Sequence, residues 1–195
     1  MKKKNQPPPA LRKQTLRMKD NHTWDAPKGF KIIVLDRGMV SFNIPEKWDV
    51  HKMTPVEIYD VPPPDDNTRI SVSYWPLPPN IDWTELPLEK LLADSTKEDN
   101  RDKDMPKVLE RGELVTVKRD DIELAWTWHR WMDATENREA ISRFAVSRGW
   151  NVAALITFDF WVTDLKKIIP IWREALRSLQ LGRIIQDPTR GDVRH

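Results

Sequence analysis

The pattern of apolar and polar residues predicts three consecutive β-strands between Asp121 and Trp161. Side chains of the first segment alternate, and its apolar residues share one face: Ile122, Leu124, Trp126 and Trp128. Successive side chains of a strand point to opposite faces, so this alternation makes one face strongly apolar. The third segment, 152–161, is apolar at nearly every position, which is typical of a central strand covered on both faces.

Short connections between these segments predict an antiparallel meander. Arg148-Gly149 reads as a tight two-residue turn, because glycine can adopt the positive φ that such hairpins require. If this turn sets the register, Ala145 lies opposite Val152. Arg138 then lies opposite Asp159, as a cross-strand pair of opposite charge.

The meander is followed by a predicted helix that ends the domain. Asp164–Ile169 reads as a first helical turn, and Pro170 as the first residue of the main helix, where its missing N–H costs nothing. Apolar residues then recur at helical spacing up to Leu179. Gly182 is the predicted C-cap.

Earlier parts of the chain contain shorter strands and one more helix. Strands are predicted near 31–35, 38–45, 56–59, 69–75 and 108–117, and a helix near 87–98. We therefore predict an α+β fold, an antiparallel sheet with a C-terminal meander flanked by helices. Its predicted organisation is a basic, proline-containing N-terminal arm (1–30), a single domain (31–182) and a polar C-terminal tail (183–195).

The order of these elements resembles the PsbP-like superfamily. The resemblance extends from about Gly38 to Leu181, and it rests on an opening VSFNIPEKWDV segment and a closing IIPIWREALRSLQL segment. The residues that carry it are Phe42, Ile44, Pro45, Trp48, Pro170, Trp172, Leu176, Ser178 and Leu179. The superfamily includes the extrinsic PsbP protein of photosystem II, a Ran-binding nuclear import factor and bacterial DcrB-type proteins, some of which are chaperones for secreted effectors.

This resemblance implies an antiparallel sheet between helices, as an α/β/α sandwich. It also implies a non-enzymatic binding or assembly role, since no catalytic motif belongs to the fold as such. No site residue is therefore carried over from the family to this chain.

Composition and charge exclude several classes of function. The chain has 195 residues with 39% hydrophobic and 32% charged residues, which is ordinary for a globular domain. A formal net charge of +2 argues against a general nucleic-acid binder. The absence of cysteine excludes disulfides and thiolate chemistry. The N-terminal stretch has no apolar run typical of a signal peptide, and no segment reaches the length of a membrane span, so we expect a cytoplasmic protein or one peripheral to a membrane complex.

Candidate chemistry is sparse. His129 and Glu123 fall on one strand face and could share a proton or a metal, but their spacing matches no ligand motif, so a satisfied structural histidine is the favoured interpretation. Acidic residues in two loops lack the spacing of a calcium site. The sequence contains no phosphate-binding glycine loop, GxSxG or HExxH motif. We predict no catalytic residue, no metal and no cofactor.

The candidate partner-binding residues are basic or aromatic. Such residues dominate interface hot spots, and a basic arm suits an anionic surface. The candidates are Lys2, Lys3, Lys4, Arg12, Lys13, Arg17, Trp131, Arg143 and Trp150. We expect a non-catalytic protein-binding module, acting as an accessory subunit, adaptor or chaperone on another protein or complex. The alternatives are an extrinsic subunit of a membrane complex, perhaps photosynthetic, and a small-ligand carrier or enzyme.

Overall fold

The computed structural model describes residues 14–83, 86–96, 107–191 and 193–194 of the chain. Its strands, in chain order, are β1 (Phe30–Leu35), β2 (Val40–Pro45), β3 (Asp49–His51), β4 (Val56–Tyr59), β5 (Thr68–Pro76), β6 (Val108–Arg111), β7 (Val115–Lys118), β8 (Glu123–Asp133), β9 (Arg138–Gly149), β10 (Val152–Trp161), β11 (Gln180–Leu181), β12 (Ile184–Ile185) and β13 (Val193–Arg194). Within the described residues the α-helices are α1 (Leu88–Ser95) and α2 (Leu165–Ser178). The predicted α+β class is confirmed.

An eight-stranded antiparallel sheet forms the centre of the molecule. Its strand order is β3-β4-β5-β10-β9-β8-β6, with β7 also paired to β8. Three neighbours in this order, β8, β9 and β10, are the predicted meander. The nearly continuous apolar strand β10 lies between β5 and β9, with both edges paired, as its sequence predicts.

The hairpin between β9 and β10 differs from the predicted one. Its turn residues are Trp150 and Asn151, with φ of 48° and 57°, whereas Gly149 ends β9 and is not in a positive-φ conformation. Two successive positive φ values are the hallmark of the turn that matches strand twist. Ala145 consequently lies opposite Ile156 rather than Val152.

The corrected register also changes the predicted charge pair. Asp159 lies opposite Ser142 in β9, so its partner is not Arg138. Arg69 of β5 binds Asp159 instead, with 2.7 Å between Nη2 and Oδ2. The guanidinium carbon of Arg138 lies 4.3 Å from the centroid of the Trp161 ring, in a cation–π contact.

The two faces of the large sheet are covered by different helices. We call them the α1 face and the α2 face. On the α2 face, the apolar residues of β5 and β10 pack against α2 and against β2, which belongs to a small sheet of order β1-β2-β11. The largest fully buried side chains of this core include Phe42, Ile70, Ile156, Phe158 and Trp172.

Helix α2 starts earlier than the sequence predicts. It runs through Pro170 without interruption, so Pro170 lies inside the helix and not at its first position. Its buried side is formed by Ile168, Ile171, Trp172 and Ala175. The helix ends at Ser178, so Gly182 is not its cap; Gly182 lies after β11 with φ of 63°.

The two terminal segments of the described chain contact each other. The N–H of Lys19 donates to the carbonyl of Thr189, and the N–H of Thr23 donates to the carbonyl of Arg190. Lys19 Nζ also lies 2.6 Å from Asp187 Oδ2. Residues predicted to belong to an arm and to a tail are therefore joined in one surface strip, which the sequence pattern did not predict.

Candidate functional site

Only part of the α1 face lies beneath α1. Leu88 and Leu92 of this short helix pack on Ala125 of β8 and Val146 of β9, and they form a small second core. Beyond the end of α1, none of the described helices covers the same strands, which line a cavity of about 560 Å³. The volume falls within the roughly 300–1,000 Å³ that is usual for small-molecule sites.

Aromatic side chains form the walls of this cavity, which we call the aromatic pocket. The aromatic residues that line it are Tyr59, His129, Trp131, Phe144, Phe160 and Trp161. The strand register explains their convergence, because residues at Cα-paired positions of antiparallel strands point to the same face. Trp131 is paired with Ala140, which is paired with Trp161, so β8, β9 and β10 each contribute one side chain to the row.

A chain of hydrogen bonds fixes the polar floor of the aromatic pocket. The indole N–H of Trp131 donates to Ser142 Oγ over 3.0 Å. The Ser142 hydroxyl donates in turn to Asp159 Oδ1 over 2.6 Å. Arg69 holds the other oxygen of Asp159. The wall residue Trp131 is thereby locked in one orientation.

One row of this floor contains the residue types of a hydrolytic triad in an unsuitable order. His129 is paired with Ser142, and Ser142 with Asp159. A triad needs the imidazole between the serine and the carboxylate, so that it can accept the hydroxyl proton. Here the serine lies in the middle and donates to the carboxylate. The His129 ring is buried and lies edge-on to Phe144, with centroids 5.2 Å apart.

Charge in the pocket is predominantly acidic at the rim. Asp66 and Asp133 line the cavity, both half-buried, and neither forms an ion pair with another described residue. Burial, together with the nearby negative charge of Glu57, raises the pKa of Tyr59. Its phenol therefore stays protonated at neutral pH and can donate a hydrogen bond.

The structure separates the aromatic and basic residues that the sequence nominated. Trp131 lies in the aromatic pocket, whereas Arg143 is on the α2 face. Trp150 lies in the β9–β10 turn, 51% exposed. Arg17 is exposed near the start of the described chain, and the other basic candidates, Lys2, Lys3, Lys4, Arg12 and Lys13, lie outside the described residues.

Sequence reasoning missed Tyr59, Arg69, Ser142 and Asp159. Each is a polar or amphipathic residue at an alternating position of a predicted strand, and that was the available signal. Their convergence depends on β4, β5, β9 and β10 being neighbours in this register, which the local pattern of a strand does not encode.

The described ranges contain neither a metal-binding cluster nor a membrane-spanning helix. Within them no three histidine, aspartate or glutamate side chains are close enough together to hold a metal ion. None of the described helices has the length and apolar character needed to span a bilayer.

Comparison with known proteins places the chain in a family. The model of the Alr1449 family matches residues 31–185, most of the chain. This chain is an Alr1449 family protein. A relative from Nostoc sp., the uncharacterized protein alr1449, is 40% identical over 181 residues, which are 92% of this chain and 91% of that one.

Solved structures identify the fold of this member of the Alr1449 family. The cyanobacterial PsbP protein (CyanoP) of Synechocystis sp. is similar with a TM-score of 0.56 at 11% identity, over 80% of this chain and 94% of that one. LpqN of Mycobacterium tuberculosis, described as involved in cell envelope biogenesis, is similar with a TM-score of 0.51 at 11% identity, over 77% and 89%. The predicted PsbP-like fold is confirmed.

Proposed function

We propose that this member of the Alr1449 family is a non-catalytic accessory protein that binds a partner polypeptide in the aromatic pocket. The observation that carries the proposal is the part of the α1 face that no described helix covers, with its aromatic walls and its two rim carboxylates. A rigid aromatic surface gives contact area at little entropic cost, as interface hot spots do.

Charge and shape favour a basic side chain as the group that enters. A lysine or arginine of the partner would lie on Trp131 in a cation–π contact while it pairs with Asp66 and Asp133. The fixed floor favours binding over turnover, because the Ser142 hydroxyl donates its hydrogen bond to Asp159 and not to an imidazole. The PsbP-like fold is consistent with this role.

Neighbouring aspartates provide a matched test. Asp66 lines the pocket, whereas Asp65 is exposed beside it and does not. Full-length wild-type protein, Asp66→Lys and Asp65→Lys are each used to capture partners from an extract of the native host, with quantification by mass spectrometry. We expect a polypeptide that is bound by wild type and Asp65→Lys and is lost with Asp66→Lys. Trp131→Ala should lose the same polypeptide.

The recovered partner must also contain the predicted basic group. Replacing one lysine or arginine of its bound segment by alanine should weaken binding by about tenfold or more, as for other interface hot spots. Equal capture by Asp66→Lys and wild type, or no polypeptide captured by wild type, would refute the proposal.

A small-ligand carrier is the second candidate, and the 560 Å³ volume of the aromatic pocket favours it. Native mass spectrometry of protein purified from its host would then show a bound small molecule. That mass increment should be absent from Asp66→Lys and present in Asp65→Lys.

The basic N-terminal residues are proposed as a separate contact to an anionic membrane surface. This part rests on the sequence of residues 1–13, which includes Lys2, Lys3, Lys4, Arg12 and Lys13. Full-length protein should sediment with vesicles that contain phosphatidylserine, and less so at high salt. Deletion of residues 1–13 should abolish sedimentation; equal sedimentation of both forms would refute this contact.

A further inference from the structure

A second cavity lies on the α2 face, on the other side of the sheet from the aromatic pocket. It has a volume of about 380 Å³ and runs between α2 and the strands β7 and β8. We call it the arginine groove. Its floor is apolar, formed by Leu124, Trp126, Ile169 and Trp172, and its main cations are Arg143 and Arg173.

Arg143 is held in this groove by aromatic contacts. Its guanidinium carbon lies 5.3 Å from the ring centroid of Trp126 and 5.6 Å from that of Trp172. The two indoles are themselves packed edge to face, 6.0 Å apart. These contacts hold the guanidinium against an apolar wall.

No described carboxylate compensates the charge of Arg143. Its Nε is buried and has no hydrogen-bond partner among the described residues. Burial, and then the positive charge of Arg173, lower the pKa of Arg143 to about 10, so the side chain stays charged at neutral pH. Arg143 is half-buried, and desolvating a cation without a counterion is costly.

The other charged groups around the groove do not relieve this imbalance. Arg177 is paired with Glu174. Arg119 donates to the carbonyls of Leu176, Arg177 and Leu179 at the end of α2, and it lies 3.5 Å from Asp121. Arg173 is exposed and forms no ion pair with any described residue. Two arginines of the groove thus have unused hydrogen-bond donors beside an apolar floor.

We propose that the arginine groove binds a small organic carboxylate with an apolar body. The carboxylate accepts hydrogen bonds from Arg143 and Arg173, and the apolar body lies along Trp126 and Trp172. A guanidinium is suited to this role because its planar donors match the two oxygens of a carboxylate. The apolar floor disfavours a small, fully hydrated anion, since such an ion leaves the indoles without a contact.

The arrangement makes a distinctive prediction about Arg143 itself. If the residue served only packing, replacement by methionine, which has a similar length and no charge, would leave every function intact. If it is retained to bind an anion, Arg143→Met keeps or raises the unfolding midpoint while it removes ligand binding. Loss of binding without loss of stability separates the two roles.

Calorimetric titration of the full chain with decanoate tests the proposal. Decanol, which has the same chain without the charge, and acetate, which has the charge without the chain, are the ligand controls. We expect saturable binding of decanoate, and at least about tenfold weaker binding of both controls. Indole N–H resonances of Trp126 and Trp172, assigned by substitution, should shift with decanoate alone.

Variants then assign the binding to this groove. Arg143→Met and Arg173→Gln should each weaken decanoate binding about tenfold or more. Lys166→Gln removes one positive charge from an exposed position of the same helix that does not line the groove, and it should bind as wild type does. Asp66→Lys should also bind decanoate as wild type does. The result therefore does not depend on whether the aromatic pocket binds a polypeptide. Equal affinity of Arg143→Met and wild type, equal affinity for decanol and decanoate, or no saturable binding would overturn the inference.

Discussion

Gly182 shows how one residue can be constrained by two independent effects. Its φ of 63° lies in the left-handed region, which costs residues with a β-carbon about 1–2 kcal/mol. A β-carbon at this position would also lie 2.6 Å from Cβ and 2.7 Å from the carbonyl oxygen of Trp150. Gly29 has a similarly positive φ of 85° but nothing within 4 Å of such a carbon.

The pair of glycines therefore separates backbone strain from crowding. We expect Gly29→Ala to lower the free energy of unfolding by about 1 kcal/mol. Gly182→Ala should cost about 1–3 kcal/mol more, because overpacking adds to the strain. Urea denaturation of both variants measures the difference; equal losses would show that the Trp150 contact does not constrain Gly182.

Glu174 connects α2 to β2 through a buried amide. Asn43, only 1% exposed, donates from Nδ2 to Glu174 Oε1 over 2.7 Å. Arg177 donates to both oxygens of the same carboxylate. The hydrogen bonds from Arg177, and then that from Asn43, lower the pKa of Glu174 below its usual 4.5, against an opposing effect of burial.

A lowered carboxyl pKa implies an acid-dependent loss of stability. Because the folded state favours the ionised form, the contribution of Glu174 is fully present above the unfolded pKa and is lost as pH falls through the folded one. We expect wild type to lose more stability than Glu174→Gln between pH 6 and pH 3. Unfolding midpoints across this range provide the measurement. Glu46→Gln, at an exposed position, is the control and should follow wild type.

At the scale of the elements, helix α2 forms because of its amphipathic pattern, although Pro170 within it disfavours a helix. Its buried side packs on the sheet, and that burial outweighs the local preference of Pro170. A proline inside a helix removes one backbone hydrogen bond and crowds the preceding turn. The sequence prediction that Pro170 starts the helix followed local preference, and the tertiary contacts of the earlier turn, with Ile168 fully buried, override it.

Removal of this proline should therefore stabilise the protein. Pro170 is exposed, so its replacement leaves the core unchanged. We expect Pro170→Ala to raise the free energy of unfolding by about 1–3 kcal/mol, and the exposed Lys166→Ala on the same helix to change it by less than about 0.5 kcal/mol. Thermal and urea unfolding give both values. A less stable Pro170→Ala would mean that the helix is bent at this position in a way that the core requires.

At the scale of the whole molecule, the chain ends are joined where the sequence places a separate arm and tail. Asp187 is central to the contact: hydrogen bonds from Lys19 and Thr189 lower the pKa of its carboxyl to about 2. Trp24 adds a hydrogen bond from its indole N–H to the carbonyl of Pro188. These contacts are at the surface, where ion pairs are weak and sensitive to salt.

Weak surface contacts predict local rather than global effects. Asp187→Asn should leave the unfolding midpoint nearly unchanged but speed tryptic cleavage after Arg17 and Lys19, because local opening of the segment becomes more frequent. The exposed Asp20→Asn is the matched control. Lowering the pH from about 4 towards 2 should have the same effect in wild type, as hydrogen exchange of residues 14–24 would show. Unchanged cleavage of Asp187→Asn would indicate that the backbone hydrogen bonds alone hold the segment.

The arrangement of the two proposed sites also belongs to this scale. The aromatic pocket and the arginine groove use opposite faces of one sheet, so β8 contributes Trp131 to one and Trp126 to the other. The sequence nominated both Trp131 and Arg143 as partner-binding residues. The structure places them on opposite faces of the sheet. Arg143 is paired with Trp128, which is three residues from Trp131 on β8, and side chains alternate between the faces along a strand.

The sequence by itself determined the class of the fold, the position of most strands and the amphipathic face of α2. These depend on periodicities of two or about 3.6 residues, which are local and appear directly in the order of residues. Only the tertiary structure decided the register, the joining of the chain ends and both candidate sites. Arg69 and Asp159 are 90 residues apart, and no local pattern indicates that β5 and β10 are neighbours. The hairpin turn shows why register cannot be inferred from local sequence. The observed turn, Trp150-Asn151, lies two residues after the predicted one, and this difference changes every residue pair between β9 and β10.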